Sequence, residues 1–427
     1  MRILTVGGKM LTQALRAHGH EVRSLGFPGF LDHPQDSETN FLRAPGEARL
    51  ALAGIAASFA PDWIIQVDDS SPLPHLGLEN IPIPKAWYAL DSHLHWEWHR
   101  HYAPLFDVVF CAQKNRVGDL GAFRTGVEWL PLCFTGEPAF LPWNGRRHDV
   151  AFVGTLNPAI NPDRIAFLDR LKSMGLPVHA VQGPCDPVYR DARVVFNQSA
   201  DDDLNFRFFE AMGNGALLIT DRLSHSLGDF GEPGKDFLVY EKGDAGDLRA
   251  QVEWALSHPT EAEAMARRGQ ARIANTHLIG HRVARITEAL AHPVPGPAAR
   301  GPLLAHLAGA HEHLSRLELP GPLVDFFAAE GRRLALTALE NSPSEPYARL
   351  ALAQLDLEKG EHAQALAWLE GADGDGVPEY RRRYLFLRCL LIAHLGRLDQ
   401  ARILIGGGLR EFPGDADLAR LGRVLGA

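Results

Sequence analysis

The chain has 427 residues, of which 46% are hydrophobic and 22% are charged, and its formal net charge is -9 at pH 7. This length predicts two or three domains, and the composition is that of a soluble globular protein. The negative charge argues against a general nucleic-acid binder, because such a protein needs basic surface to neutralise phosphates.

The cysteines and the first residues indicate the compartment. The four cysteines, at positions 111, 133, 185 and 389, form no CxxC pair. This scatter predicts reduced thiols, with neither disulfides nor a zinc site. The chain opens directly on a buried strand and a glycine turn, and no apolar run is long enough to cross a bilayer. We therefore expect a cytoplasmic protein without a transmembrane segment.

Residues 1–143 are predicted to form a first domain of alternating strands and helices. A helix is predicted at 11–17, and apolar runs predict buried strands at 3–6, 21–24, 62–67, 86–90 and 108–112. Strands alternating with helices indicate a parallel sheet with helices on both faces. The first domain is thus expected to be Rossmann-like.

The same pattern restarts after a polar, proline-bearing stretch at 140–147. A strand followed by glycine is predicted at 149–154, then a helix at 164–174 and strands at 178–181, 194–196 and 216–219, and the last helix ends near Leu290. A restart is what two Rossmann-like halves produce. We assign residues 144–291 to a second Rossmann-like domain that faces the first across a cleft.

A linker and a helical tail complete the chain. Residues 293–297 are a Pro/Gly-rich linker within 292–302, and the periodicity of 303–427 predicts helices only. Two segments that begin at Lys359 and Leu395 align at an offset of 36 residues. This tail is similar to tetratricopeptide repeats, a resemblance that implies a protein or peptide partner. A structural or dimerising tail is the alternative.

Residues 201–221 form the most informative segment. Leu204, Phe208, Ala211 and Met212 make an apolar helical stripe, and Asp201 to Asp203 are predicted to supply the N-cap and the acidic first turn. Gly213 and Gly215 end the helix, and Asp221 follows the next strand at its carboxyl end, where open α/β sheets bind ligands. The polar residues Asn205, Arg207 and Glu210 take part in neither the apolar stripe nor the helix ends, so they are available to meet a ligand.

This segment resembles the nucleotide-sugar motif of GT-B glycosyltransferases of the group 1 type, in particular their CgeB-like (spore maturation protein) branch. In that branch a basic residue three positions before a helix glutamate precedes Ala-Met-x-x-Gly and an apolar strand, as Arg207 and Glu210 do here. The similarity runs from about Asp149 to Arg282 and extends more loosely to the first half. It implies two Rossmann-like domains and a hexosyltransferase-type activity.

The resemblance also implies roles for individual residues. Glu210 would hold the ribose hydroxyls of the donor, and Arg207 or the amides near Asn205 would meet its diphosphate. Asp202 lies eight positions before Glu210, the spacing of the acid pair in retaining GT-B enzymes, and would contact the sugar. The alternative for Arg207 and Glu210 is an ordinary i, i+3 ion pair on a helix surface.

Two glycine turns are candidate ligand loops. Gly154, Thr155 and the following Arg164 correspond to the GT-B loop that approaches the diphosphate, although Arg164 also fits a solvated helix arginine. Gly7 and Gly8 lack the complete GxGxxG spacing and predict a tight turn whose amides approach the acceptor or the transferred sugar.

Two strand ends supply further candidates. Asp91 and His93 follow the predicted strand at 86–90, and retaining GT-B enzymes often keep a catalytically helpful histidine in this part of the first half. Cleft-wall packing is one alternative, and a metal site at His95 and His99 is another, although the HExxH order is absent. Asn197 follows the strand at 194–196, either as a polar turn or as a residue that borders the donor base.

The sequence thus predicts transfer of a sugar from a nucleotide-diphosphate donor to an acceptor such as a protein or a surface glycan. We expect no bound metal and no cofactor, because helix amides and Arg207 or Arg164 can stabilise the departing diphosphate. We predict that the transferred sugar retains its anomeric configuration, and only the spacing of the acid pair supports this prediction. The alternatives are a sugar-nucleotide epimerase on the same fold and a non-catalytic scaffold that uses the repeats.

Overall fold

The structure is a computed structural model that describes residues 1–25, 45–68, 77–292, 300–319, 321–370, 372 and 377–426. The predicted linker at 293–297 lies outside these residues. The described chain folds into two parallel sheets with flanking helices, followed by a helical tail, which confirms the predicted fold class.

The first sheet has six parallel strands in the order β2-β1-β3-β4-β5-β6. Every residue of β3, β4 and β5 is buried, as expected for strands covered by helices on both faces. Strand β6 and helix α2 are additions to the predicted elements. The elements are β1 Arg2–Val6, α1 Lys9–Ala17, β2 Glu21–Leu25, α2 Pro45–Phe59, β3 Trp63–Val67, β4 Lys85–Ala89, α3 Trp96–Tyr102, β5 Val108–Cys111, α4 Val117–Gly121 and β6 Val127–Trp129.

The second sheet has five parallel strands in the order β11-β10-β9-β7-β8. The strand order changes direction between β7 and β9, so the loops at their carboxyl ends enclose a crevice. Its elements are β7 His148–Val153, α5 Pro162–Ser173, β8 His179–Val181, α6 Asp186–Arg190, β9 Ala192–Phe196, α7 Phe206–Gly213, β10 Leu217–Asp221, α8 Leu227–Phe230, β11 Leu238–Tyr240, α9 Ala245–Ser257, α10 Pro259–Thr276 and α11 Ile279–Ala291.

Helix α11 returns to the first half, where it packs on α1. Its Arg282 is buried and donates hydrogen bonds to the carbonyl oxygens of Pro131 at 2.6 Å and Leu132 at 2.8 Å. These bonds tie the end of the second half to the segment that connects the two sheets. The two halves are therefore joined at more than one point of the chain.

The tail is a series of packed helices. They are α12 Arg300–Leu314, α13 Gly321–Asn341, α14 Pro346–Glu358, α15 His362–Leu369, α16 Pro378–His394, α17 Leu398–Glu411 and α18 Ala416–Leu425. Gly360 and Gly396 adopt φ values of 78° and 77° in the turns of the pairs α14/α15 and α16/α17. The two aligned segments thus have the same turn, because glycine tolerates the left-handed region.

The tail packs directly on the first half. Helix α12 packs against α3, and buried residues of α12 to α14 share one hydrophobic cluster with residues of the first half, among them Trp87 of β4 and Trp98 of α3. The guanidinium of Arg100, on α3, bonds Glu379 of α16 at 2.8 Å. Among the helices that the structure describes, none combines the length and apolar character needed to cross a membrane.

Candidate functional site

Helix α7 begins at Phe206, later than the sequence pattern predicts. Asn205 is its N-cap but makes no side-chain capping bond, and the first turn contains no acidic residue. The prediction that Asp201 to Asp203 form the cap and first turn is wrong. Asp203 instead accepts hydrogen bonds from the amides of Ala200 at 2.7 Å and Asp201 at 3.1 Å, which closes a separate turn before the helix. The first N–H groups of α7 are therefore not neutralised by a carboxylate of their own helix.

Arg207 extends from α7 across the carboxyl ends of β7 and β9. Its Nε donates to the carbonyl of Val153 at 3.0 Å, and its Nη1 donates to Oδ1 of Asn197 at 2.8 Å. The guanidinium lies 4.3 Å from the centre of the Phe152 ring. None of these partners is a carboxylate, so the charge of Arg207 is oriented by neutral groups.

A second guanidinium shares the same ring. Arg164 of α5 lies 5.5 Å from the centre of the Phe152 ring and bonds the carbonyl of Thr155 at 3.3 Å, and its buried Nε has no hydrogen-bond partner among the described residues. Burial, followed by repulsion from Arg207, lowers the pKa of Arg164. Two cations that repel each other beside one aromatic ring favour an anion between them.

Gly154 leaves room for this arrangement. A methyl group built on Gly154 would lie 2.7 Å from Nη2 of Arg207 and 3.0 Å from the ring of Phe152. A side chain here would displace the guanidinium. The structure thus brings together four of the predicted donor residues, which are Gly154, Arg164, Asn197 and Arg207.

Glu210 lies one helical turn after Arg207. Burial raises the pKa of its carboxyl group, while Arg207 and a hydrogen bond with the thiol of Cys185 lower it by less. Cys185 was not among the predicted site residues, because its position before α6 becomes adjacent to Glu210 only in the folded protein. Glu210 is partly exposed, and a carboxylate with unused oxygen lone pairs can accept hydrogen bonds from hydroxyl groups.

Asp202 has other partners. It adopts a φ of 46°, and its Oδ1 accepts a hydrogen bond from the amide of Ser224 at 2.7 Å. Its Oδ2 accepts a hydrogen bond from the Ser224 hydroxyl. Burial raises the pKa of Asp202, but these hydrogen bonds outweigh burial and lower the pKa overall. Asp202 is thus an ionised acceptor that ties the turn before α7 to the segment after β10.

A buried polar network lies beside Asn197. Ser199 donates its amide at 3.1 Å and its hydroxyl at 2.5 Å to Asp221, at the end of β10. Nζ of Lys242 lies 3.0 Å from the Ser199 hydroxyl and 4.0 Å from Asp221. Burial raises the pKa of Asp221. Lys242 was not among the predicted site residues, because it belongs to no recognisable motif.

Among the described residues, His93, Gln113 and Lys114 connect the first half to this site. Nε2 of His93 lies 3.8 Å from Oδ2 of Asp203, and both side chains are about 95% buried. The side chain of Gln113 forms two hydrogen bonds with the backbone of Leu204. Nζ of Lys114 bonds the carboxylate of Asp229 at 2.8 Å. The halves therefore contact each other at the residues that directly precede α7, and the predicted residue His93 takes part in this contact.

Asp91 and His99, one of the two alternative metal ligands, belong to a hydrogen-bonded network inside the first half. The amide of Asp91 donates to Asp68 at 3.1 Å, and Asp68 lies 3.3 Å from Nε2 of the fully buried His99. Nδ1 of His99 lies 3.1 Å from the Ser92 hydroxyl. Burial holds the pKa of His99 well below its usual value. No group of three or more potential metal ligands is found among the described residues.

The turn between β1 and α1 requires glycine. Gly7 and Gly8 adopt φ values of 74° and 69°, and a methyl group built on Gly8 would lie 2.6 Å from Cβ of Val67. Val67 ends β3 and precedes Asp68, so this turn lies at the carboxyl edge of the first sheet. It belongs to the same edge as Asp91, which follows β4.

Part of the second half matches a protein-family model. Residues 182–288 match the model of a glycosyl transferase-like family, and this segment includes α7 with Arg207 and Glu210. No curated protein sequence matches the chain.

Solved structures resemble the two-sheet part. The sucrose-phosphate synthase of Thermosynechococcus elongatus aligns with a TM-score of 0.51 at 13% identity, over 67% of this chain and 98% of that one. The Anabaena protein HepE, solved with UDP and glucose, aligns with a TM-score of 0.48 at 13% identity, over 68% of this chain and 99% of that one. The chain thus has the GT-B fold of glycosyltransferases, with a glycosyl transferase-like segment at 182–288 and a helical C-terminal region.

Proposed function

We propose that the protein transfers a sugar from a nucleoside-diphosphate donor to an acceptor. The observation that carries this proposal is the pair of guanidinium groups of Arg164 and Arg207 beside the ring of Phe152, at the carboxyl end of β7. Gly154 and the uncapped start of α7 adjoin them. Such a site suits a diphosphate, which both cations and the helix amides would bind.

Each part of the donor has a partner in this proposal. The two arginines and the first amides of α7 stabilise the negative charge that develops on the departing diphosphate, so no metal ion is needed. Glu210 accepts hydrogen bonds from the ribose hydroxyls. Asn197 borders the base. The loop that contains Gly154 and Thr155 covers the diphosphate.

We propose that the first half holds the acceptor. His93 of that half lies next to Asp203 in the turn before α7. In this proposal His93, Asp91 and the Gly7-Gly8 turn line the acceptor side. Retention of configuration, with Asp202 as the sugar contact, is supported by the sequence spacing alone. Analysis of the anomeric configuration of the product by NMR tests it.

The tail is proposed to bind a protein or peptide segment, and a protein acceptor would fit this architecture. The supporting observation is that α12 packs on α3 and that Arg100 bonds Glu379, so the tail is fixed beside the acceptor half. The classification of the second half as CgeB-like and of the tail as tetratricopeptide repeats is part of this proposal.

A binding screen tests the donor assignment. UDP, GDP, ADP and dTDP are added to the wild-type protein, to Arg164→Met and to Arg207→Met, and the melting midpoints are measured. A ligand that binds only the folded state raises the midpoint. We expect at least one diphosphate to stabilise the wild type and neither variant to respond as strongly. If no nucleoside diphosphate or sugar nucleotide stabilises the wild type, the proposal is wrong.

A further inference from the structure

Gln113 connects the two halves through a pair of hydrogen bonds. It lies two residues beyond the carboxyl end of β5 and is 1% exposed. Its Oε1 accepts from the backbone N–H of Leu204 at 3.0 Å, and its Nε2 donates to the carbonyl oxygen of Leu204 at 3.3 Å. One side-chain amide therefore satisfies both backbone polar groups of a residue in the other half, as a neighbouring strand would.

Leu204 is the last residue before the N-cap of α7. It follows Asp203, whose carboxylate closes the turn at 200–201, and its own side chain is 1% exposed in the same hydrophobic cluster as Phe208. The position of Leu204 therefore fixes the direction in which α7 starts. That direction determines where the uncapped N–H groups of α7 and the guanidinium of Arg207 lie.

The contact requires the two halves to be together. Gln113 and Leu204 are 91 residues apart in sequence and belong to different halves, so separation of the halves breaks both hydrogen bonds. The ion pair of Lys114 with Asp229 joins the same halves, but its side chains are 45% and 32% exposed and Asp229 lies in α8. The two contacts thus differ in burial and in the segment that they hold.

We propose that Gln113 is a positioning residue that couples closure of the two halves to the completion of the diphosphate site. By binding the backbone of Leu204 it holds residues 200–205 in the conformation that presents the start of α7 and Arg207 to the diphosphate. This inference rests on the proposed function. It assigns to Gln113 no contact with the substrate.

The test compares two ligands that differ by one phosphate. The nucleoside diphosphate that most stabilises the wild type and the corresponding monophosphate are titrated by calorimetry into the wild type, Gln113→Met, Gln113→Glu and Lys114→Met. Gln113→Met removes both hydrogen bonds, whereas Gln113→Glu keeps the length and the acceptor but loses the donor. Lys114→Met is the matched control at the same interface.

We expect Gln113→Met to lower the diphosphate affinity by about ten-fold and the monophosphate affinity by less than about three-fold. The reason is that displacement of Arg207 and the start of α7 weakens mainly the contacts with the second phosphate, which the monophosphate lacks. Gln113→Glu should lower the diphosphate affinity at least as much as Gln113→Met, because a carboxylate oxygen would then face the Leu204 carbonyl oxygen without a proton to donate, and it carries the test if Gln113→Met does not fold. Lys114→Met should change both affinities by less than about two-fold, as for an exposed ion pair.

The outcomes separate this inference from the proposed function. Equal losses for both ligands, or no loss in either Gln113 variant, overturn the positioning role while diphosphate binding by the wild type stands. A wild type that binds no nucleoside diphosphate overturns the proposed function and this inference with it.

Discussion

Nη1 of Arg207 donates a 2.8 Å hydrogen bond to Oδ1 of Asn197, whose side chain is fully buried. Asn197 in turn donates to the Thr220 hydroxyl at 3.2 Å, so its amide is held from both sides. The guanidinium is therefore oriented before any ligand arrives. A group that is already oriented loses little conformational freedom on binding, which favours affinity.

Replacement of Arg207 should weaken donor binding strongly. Because a hydrogen bond to a charged group contributes about 1.5–3 kcal/mol, Arg207→Met should lower the diphosphate affinity by about ten- to hundred-fold. Calorimetry measures this change. The control is Arg222→Met, which removes an ion pair with Glu241 in which both side chains are 60% exposed, and which should leave the affinity unchanged. Equal effects of the two variants would contradict the prediction.

A methyl group at Gly154 should act through Arg207. In Gly154→Ala the new Cβ would lie 2.7 Å from Nη2 of Arg207, the flexible end of a long side chain that can move away. We expect a melting midpoint close to that of the wild type and a diphosphate affinity lowered by about ten-fold. Gly118→Ala, where nothing lies within 4 Å of the new atom, is the control and should bind normally. Unchanged affinity in Gly154→Ala would contradict this role of Gly154.

The ionised carboxylate of Glu210 should lower the stability of the folded protein at high pH, although it contributes to donor binding. Burial raises the pKa of Glu210 in the folded state above its unfolded value, so between these two values the folded state binds more protons. Its contribution to stability therefore falls as the pH rises through this window. We expect Glu210→Gln to raise the melting midpoint at pH 8, with a gain that shrinks toward pH 4, and to weaken donor binding.

Thermal melts of wild type and variant across pH measure this effect, and calorimetry measures the binding. Glu241→Gln, at an exposed carboxylate, is the control and should show no such pH-dependent gain. A Glu210→Gln variant that binds donor as the wild type does would exclude the ribose contact.

Gly8 should be essential for stability. A residue other than glycine costs about 1–2 kcal/mol in the left-handed region, and at Gly8 the new Cβ would also lie 2.6 Å from Cβ of Val67. Overpacking of this kind adds about 1–3 kcal/mol, so Gly8→Ala should destabilise the protein by about 2–5 kcal/mol. Gly19→Ala has a φ of 82° but open space, and it isolates the backbone cost. Similar destabilisation in both variants, measured by denaturant unfolding, would contradict the collision.

Acid should loosen the contact between the tail and the first half. Nδ1 of His101 lies 3.2 Å from Nδ1 of His306, an arrangement that requires at least one neutral ring. Burial, followed by Arg100, lowers the pKa of His306 to about 4. Burial lowers the pKa of His101 well below its usual value, and nearby Arg100, His306, Arg383 and His313 lower it further. Below pH 6.5 the unfolded chain therefore binds protons that the folded state does not, and stability falls as the pH drops toward 4.

Replacement of His306 should reduce this dependence. Denaturant unfolding at pH 7 and pH 5 should show a smaller acid loss in His306→Gln than in the wild type. His394→Gln, at an exposed histidine of α16 that stacks on His362, should keep the wild-type loss. The same acid dependence in all three proteins would show that the buried histidine pair does not titrate on unfolding.

The sequence by itself determined the two β-α halves, the helical tail and the main donor candidates. Apolar runs of strand length, separated by helices and glycine turns, favour covered parallel strands, and the bounds of β1, β7 and β9 were predicted within about two residues. Arg207 and Glu210 could be identified because both lie on one short helix, where spacing alone sets their relative position.

Only the tertiary structure decided how the site is assembled. The acidic run at 201–203 has the local sequence pattern of a helix cap. In the folded protein, however, Asp203 closes its own turn and lies beside His93, and Asp202 accepts a hydrogen bond from Ser224. The pairing of Gln113 with Leu204 joins residues from different halves, and the stacking of Arg164 and Arg207 on Phe152 joins residues from two helices and a strand. Local patterns do not encode such contacts, because they depend on how the two halves and their loops pack against each other.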